Sequence, residues 1–220
     1  IIIQISLVLS FVIFNDLQLS NTKIYLLDRL LSNEIFNYFF ISFCILIVVN
    51  GSNFFDGLNT LNIGYYLLIS LIIYYLEDSN FVTINETFIN FILIVLIITF
   101  ILNLLNQIYL GDAGSYLLGF TFSIFLINIY LENPQISPFF IIVLLWYPSY
   151  ETLFSIIRKN IMNKSPMSPD SNHLHQQVFY IFHKNNNLNK YHSNLMSANL
   201  INLYNLIVFI ISVNFFSNSQ

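Results

Sequence analysis

Charge is what this sequence has least of. Lys and Arg together number 7, Asp and Glu 11, and the four types make up 8% of 220 residues, with a net charge of −4. No stretch clusters Lys and Arg densely enough to follow a phosphate backbone, so nucleic acid is excluded as a partner. One cysteine, Cys44, lies inside an apolar run, which rules out a disulfide framework and a Cys-based zinc site. Ala, Gly and Val are also scarce, while Asn, Ile, Phe, Tyr and Leu dominate as in AT-rich coding sequences. Isolated Asn, including the glycosylation-type triplets at Asn50 and Asn163, therefore carry little information. Those grouped with Gly and Asp carry more.

Apolar residues take the place of charge: 56% of the chain is hydrophobic and the mean hydropathy is +0.71. This is too apolar for a soluble domain and predicts an all-α, polytopic transmembrane bundle. Apolar runs at 1–14, 35–49, 60–76, 87–106, 115–131, 138–157 and 199–216 predict seven spanning helices. They form a single transmembrane domain over 1–216, including a polar loop at 158–198 and followed by a tail at 217–220. The first run is short for a span and starts at Ile rather than Met, without the basic start or small-residue cleavage site of a signal peptide. The expectation is a fragment that begins inside a helix.

Seven crossings put loops 15–34, 77–86 and 132–137 on one side and 50–59, 107–114 and 158–198 on the other. Arg158, Lys159, Lys164, Lys184 and Lys190 belong to the second set, against Lys23 and Arg29 in the first, so the positive-inside rule makes the second side cytoplasmic. Asp16, Asp28, Glu34, Glu77, Asp78, Glu86 and Glu132 on the outer side read as solvated charge, with Asp28 and Arg29 a surface pair at best.

Three polar segments then share the cytoplasmic side. The first is NGSNFFDGLNTL (50–61). The second, NQIYLGDAGSYLLGF (106–120), brackets Asp112 with Gly111 and Gly114. A helix starting at Ser115 would offer free N–H groups to a phosphate, and Asp112 a carboxylate to a hard cation; a capped turn at a membrane edge fits the same residues. The third, RKNIMNKSPMSPDSNHLHQQVFYIFHK (158–184), has prolines at 166 and 169, then Asp170 as a cap for a helix carrying His173 and His175 in its first turn. Residues two apart on a helix point about 200° from each other, which disfavours joint metal ligation. With Arg158, Lys159 and Lys164 they suit a diphosphate, or else form a solvated basic loop. His183 and His192 read as surface residues, and 185–198 as a mobile low-complexity stretch. Glu151 lies seven residues before Arg158 on one helix face. It either orients that helix's basic end from the bundle interior or touches substrate.

In order and spacing, NGSNFFDGLN, YLGDAGSYLLGF, ETLFSIIRK and SPMSPDSNHLH resemble the polyprenyl-phosphate N-acetylhexosamine-1-phosphate transferases, the membrane group of glycosyl transferase family 4. The resemblance covers about residues 1–184. It implies a multi-pass protein of the bacterial cytoplasmic membrane with its active site facing the cytoplasm, and homodimerisation as one arrangement. The implied partners are a UDP-N-acetylhexosamine, a polyprenyl phosphate such as undecaprenyl phosphate, and the lipid bilayer. The implied cofactor is Mg²⁺, with Mn²⁺ as a substitute. The products are polyprenyl diphosphate-sugar and UMP, the start of a cell-envelope polysaccharide or peptidoglycan lipid intermediate.

Carried onto this chain, Asp56 and Asp112 are the implied catalytic residues, with Asp112 the metal ligand. Asn50, Asn53, Asn59, Gly111, Gly114, Ser115, Arg158, Lys159, His173 and His175 are the implied substrate-binding residues. Asn59 stands where some members have a second Asp, and Thr60 where Gly is usual. The Asp-Asp pair that members carry before the helix starting here at Ile1 is absent, so the chain alone is expected to be inactive. A catalytically inactive member acting as an assembly or regulatory subunit is the competing reading. A transporter is disfavoured because no inverted repeat is visible. The CDP-alcohol phosphatidyltransferase type is set aside because Gly57 is followed by Leu58-Asn59.

Overall fold

The computed structural model describes residues 2–163, 165, 172–185 and 189–218. Among them all regular structure is helical: α1 (Ile2–Phe14), α2 (Tyr25–Leu31), α3 (Glu34–Phe54), α4 (Leu61–Asp78), α5 (Glu86–Leu104), α6 (Gly111–Glu132), α7 (Pro138–Leu144), α8 (Trp146–Ile161), α9 (Leu174–Asn185) and α10 (Lys190–Val213). Four of these, α3, α5, α6 and α10, are long and apolar enough to cross a bilayer, and α7 with α8 makes a fifth if the bent pair is one span. The chain is thus a polytopic helical membrane protein.

Every predicted span corresponds to a helix or to that pair, but α1 and α4 fall short of a span in length or hydropathy, so that four or five crossings stand where seven were expected; three further corrections apply. The run at 138–157 is broken, and its two halves meet at 73°. The stretch 185–198, expected to be mobile, is helical from Lys190 onward, because Asn189 accepts the His192 N–H and so caps α10 well before the apolar run begins at residue 199. The second span, α3, reaches Phe54 instead of ending at residue 49. Isolated Asn also cap α3 and α5, where Asn33 and Asn85 accept from Phe36 and Phe88.

The surface is apolar where it would meet lipid. Phe91, Ile94, Ile98 and Ile101 on α5 and Leu203, Ile207 and Ile211 on α10 are exposed. Inside, α3 packs against α1, α2, α6 and α8, while α4 packs against α5 and α10. On α8 the usual amphipathic order is reversed. Glu151, Thr152, Ser155 and Lys159 face inward, and Leu153, Phe154, Ile156, Ile157 and Ile161 face outward. An acid in this span is therefore an interior residue.

Pro148 explains the break. It has no N–H for the carbonyl of Leu144, four residues earlier, and its ring crowds that carbonyl. The Tyr65 hydroxyl of α4 takes over, donating to Leu144 O at 2.7 Å and lying 3.4 Å from the Tyr147 N–H. Close approach of α3 then seats the bend: a Cβ on Gly51 would lie 1.9 Å from the Pro148 carbonyl oxygen. No other residue fits there without moving one helix.

The loops gather in two groups. Asn37 ties Leu19 and Leu31 together at 2.8 and 2.9 Å, and Asn133 binds the Thr83 backbone. These loops are the set predicted for the outer side. Asp28 among them is more than solvated charge, because it accepts the Thr22 N–H and hydroxyl, both at 2.6 Å. The other set meets at the far end of α3.

Replacing Tyr65 by Phe removes only the hydroxyl. The buried Leu144 carbonyl then lacks a partner, and stability should fall by about 1–3 kcal/mol. A thermal melt in detergent measures this, and an unchanged midpoint would mean that the bend does not depend on the hydroxyl.

Candidate functional site

The far end of α3 brings together parts of all three polar segments. Asn53, in its last turn, donates from Nδ2 to Asp112 Oδ1 at 2.9 Å. Asp56, two residues past the helix, lies beside the Ser115 hydroxyl, the Asn62 amide and the Gly111 N–H. Burial pushes its carboxyl up to about 6, helped by the charge of Asp112, while those three polar neighbours favour ionisation and hold the rise back. Two carboxylates and an amide thus converge from segments nearly sixty residues apart.

The second segment differs from its prediction in register. α6 begins at Gly111, whose φ of +64° turns the chain into the helix, and not at Ser115. Asp112 therefore lies in the first turn; the Gly111 N–H turns to Asp56, and the N–H groups left without a helical partner are those of residues 112 and 113. Ser115 is fully buried, and its hydroxyl donates back to the Gly111 carbonyl at 2.9 Å. Gly114 sits beneath the Leu110 side chain.

Asn50 and Asn59 are engaged within the protein. Asn50 Nδ2 donates to the Leu46 carbonyl of its own helix at 2.7 Å. Asn59 donates its side-chain amide to Asn106 and its backbone N–H to Asn194 Oδ1, the latter at 2.9 Å. Next to it, Thr60 has φ +68°, a left-handed conformation that a glycine adopts without a Cβ clash.

The third segment packs onto the first. Lys164, Pro166, Pro169 and the proposed cap Asp170 lie outside the described residues. His173 precedes α9 and only His175 is within it, so the helical 200° separation does not apply to the pair. Their rings are nearly parallel, 12° apart with centroids 5.8 Å apart. His175 is buried against Gly57, where a Cβ would meet its Nε2 at 2.4 Å. That burial lowers its pKa to about 4, partly countered by the charge of Glu151, so its ring is neutral at neutral pH. Glu151 Oε2 lies 2.8 Å from His173 Nδ1, and Oε1 accepts the Leu174 N–H at 3.1 Å. Arg158 Nη1 donates to the Asn172 carbonyl at 2.9 Å. The buried Lys159 Nζ lies 5.9 Å from the Phe54 ring centroid, and His173 lies 5.2 Å from the same ring.

No group of three or more His, Cys, Asp or Glu is placed to hold a metal among the described residues. Asp56, Asp112 and the Asn53 amide nevertheless fit Mg²⁺, which takes one or two carboxylates and fills its shell with phosphate oxygens and water. The donor set is all oxygen and hard, unlike the nitrogen and sulfur sets of zinc.

A family profile described as Glycosyl transferase family 4 matches residues 1–130. The chain is 39% identical over 74 residues to the "Probable undecaprenyl-phosphate N-acetylglucosaminyl 1-phosphate transferase" of Bacillus subtilis, covering 33% of this chain and 20% of that protein. It is 32% identical over 74 residues to the undecaprenyl-phosphate alpha-N-acetylglucosaminyl 1-phosphate transferase of Thermotoga maritima, covering 31% and 22%. It is 32% identical over 89 residues to the decaprenyl-phosphate N-acetylglucosaminephosphotransferase of Mycolicibacterium smegmatis, covering 35% and 22%. The chain thus spans about a fifth of the length of these curated relatives. No solved structure matches.

Sequence reasoning missed Asn103, which fixes the first two segments relative to each other. Its Oδ1 accepts the Thr60 N–H at 2.6 Å, and its Nδ2 donates to the Ile108 carbonyl at 2.9 Å. An amide one turn inside the apolar run was the available signal, hidden by the abundance of Asn. Asn103→Ala leaves both backbone groups without this partner and should cost about 1–3 kcal/mol for each one that stays dry. Retention of the wild-type melting midpoint would assign the loop geometry to other contacts.

Proposed function

The chain belongs to glycosyl transferase family 4, and from that premise we propose that it carries the active centre of a polyprenyl-phosphate N-acetylhexosamine-1-phosphate transferase. The donor is a UDP-N-acetylhexosamine, with UDP-N-acetylglucosamine first in view of the relatives' names. The acceptor is a polyprenyl phosphate such as undecaprenyl phosphate, and the site faces the cytoplasm from the bacterial cytoplasmic membrane. The observation that supports this most directly is the meeting of Asp56, Asn53 and Asp112 at one end of a lipid-facing bundle, with His173 and His175 packed beside them.

In the reaction, an oxygen of the lipid phosphate forms a bond to the sugar-bearing phosphorus of the donor. The bond from that phosphorus to the oxygen bridging the two phosphates breaks, and the electron pair leaves with UMP. All reacting groups are anionic, so positioning and charge neutralisation carry most of the work. A divalent cation held by Asp112, with Asp56 and Asn53 beside it, supplies positive charge to the diphosphate. Asn53 fixes the Asp112 carboxylate through its amide. The first-turn N–H groups of residues 112 and 113 in α6 offer further donors to a phosphate. Lys159 and His173 add positive charge or a ring donor from the α8 side, while Arg158 shapes that wall by holding Asn172. A lipid phosphate is already ionised near neutral pH, which leaves little for a general base to do.

The test is UMP release from UDP-N-acetylglucosamine by the full natural polypeptide that contains residues 1–220, with undecaprenyl phosphate and Mg²⁺. Asp112→Asn should lower kcat/KM by about 100-fold or more while the protein remains folded. If no UMP forms with any UDP-hexosamine, the enzyme reading falls and the inactive-subunit reading takes its place.

A further inference from the structure

Glu151 is a carboxylate on a bent span, exposed by only 2%. A carboxylate that deep is costly unless its oxygens are satisfied. Both are, and by consecutive residues of another segment: Oε2 meets His173 Nδ1 and Oε1 accepts the N–H of Leu174, the first residue of α9. Seven residues on, Arg158 holds the Asn172 carbonyl. One face of α8 therefore grips residues 172, 173 and 174 in turn. Both oxygens are thus engaged within the protein, which favours the orienting role over substrate contact among the two readings its sequence position left open.

The His173 ring is confined on several sides. Phe54 and His175 lie 5.2 and 5.8 Å from it, centroid to centroid. Its backbone N–H donates to Gln176 Oε1 at 3.2 Å. With Nδ1 committed to Glu151, Nε2 is the ring nitrogen left for a ligand. The Leu174 N–H requires an acceptor at Oε1, and an ionised carboxylate also accepts at Oε2, which places a proton on Nδ1.

We propose that Glu151 is a positioning residue: by accepting from His173 Nδ1–H and from the Leu174 N–H, it sets the orientation of His173 and keeps Nδ1 protonated, so that a second proton on Nε2 can be donated to an anionic phosphate oxygen. This rests on the transferase reading for the identity of the ligand. A phosphate oxygen needs a donor, so the ring serves it doubly protonated, with Glu151 balancing the ring's charge. The same carboxylate sits at the positive end of the α9 dipole and starts that helix. Position of the ring and start of the helix are then one interaction.

Glu151→Gln separates this role from bulk. Leu174 still needs an acceptor, so the amide oxygen faces the backbone and the NH₂ faces Nδ1, which must become an acceptor; the ring is then held neutral with its single proton on Nε2, and the positive charge it would bring to the phosphate is lost. In the full polypeptide labelled with ¹⁵N-histidine, two-bond ¹H–¹⁵N correlation should show His173 protonated on Nδ1 in the wild type and moved off Nδ1 in Glu151→Gln. Its signals are identified by their loss in His173→Asn. UMP release should fall about 10–100-fold in Glu151→Gln. Adding Glu151→Gln to His173→Asn should lower it by no more than about twofold further.

His173→Asn keeps a donor for Glu151 but lacks Nε2, so it should fold as the wild type does and still lose turnover; wild-type turnover in it would overturn the proposal even if Glu151→Gln does not fold. An unchanged Nδ1 signature in Glu151→Gln, or two substitutions whose effects multiply, would overturn it as well. A wild-type protein that releases no UMP would refute the transferase reading alone, since the tautomer spectrum tests the Glu151 contact without turnover.

Discussion

A carbonyl without its helical partner governs much of this fold. Pro148 cannot donate to the Leu144 carbonyl, and the Tyr65 hydroxyl donates to it instead, at 2.7 Å. The two halves of the span can then diverge by 73°. The bend lets α8 lay its polar face against the end of α3, where Thr152 donates to the Ile47 carbonyl at 2.8 Å and Pro148 fits against Gly51. Straighten the pair and Glu151 no longer meets residues 173 and 174. The polar cluster thus depends on one proline and one phenol, Pro148 and Tyr65, placed far apart in the sequence.

The bundle was largely legible from apolar runs, because lipid exposure demands long continuous hydrophobic helices. What the runs concealed was polar detail inside them. WYPSY reads as part of an uninterrupted span by hydropathy, and only the proline hints at the break. Helix ends were misplaced where capping or turn residues lay inside or beyond a run: α3 continues through Asn50 to Phe54, α6 starts at Gly111, and α10 starts at Lys190. Hydropathy ignores such residues, whereas hydrogen bonding does not.

The candidate site was legible as three segments but not as contacts. Grouping by Gly, Asp and His found Asp56, Asp112 and the His173–His175 pair. It gave no access to the pairing of Asn53 with Asp112 or Glu151 with His173, since these joins cross 59 and 22 residues of sequence. The expectation of His rings pointing apart assumed that both belong to a helix. Placing His173 just outside α9 lets the rings lie parallel.

The loops around the site are closed chiefly by neutral amides: Asn59 with Asn106 and Asn194, Asn103 with Thr60 and Ile108, Asn202 with Thr60. An amide neither gains nor loses a proton across the range where carboxylates and imidazoles titrate. Acid or alkali can therefore change the charge held in this frame without loosening these joints of the frame itself. The scaffold is blind to protons, and whatever the protein senses of pH it senses through the few acids and rings that the amides hold in place.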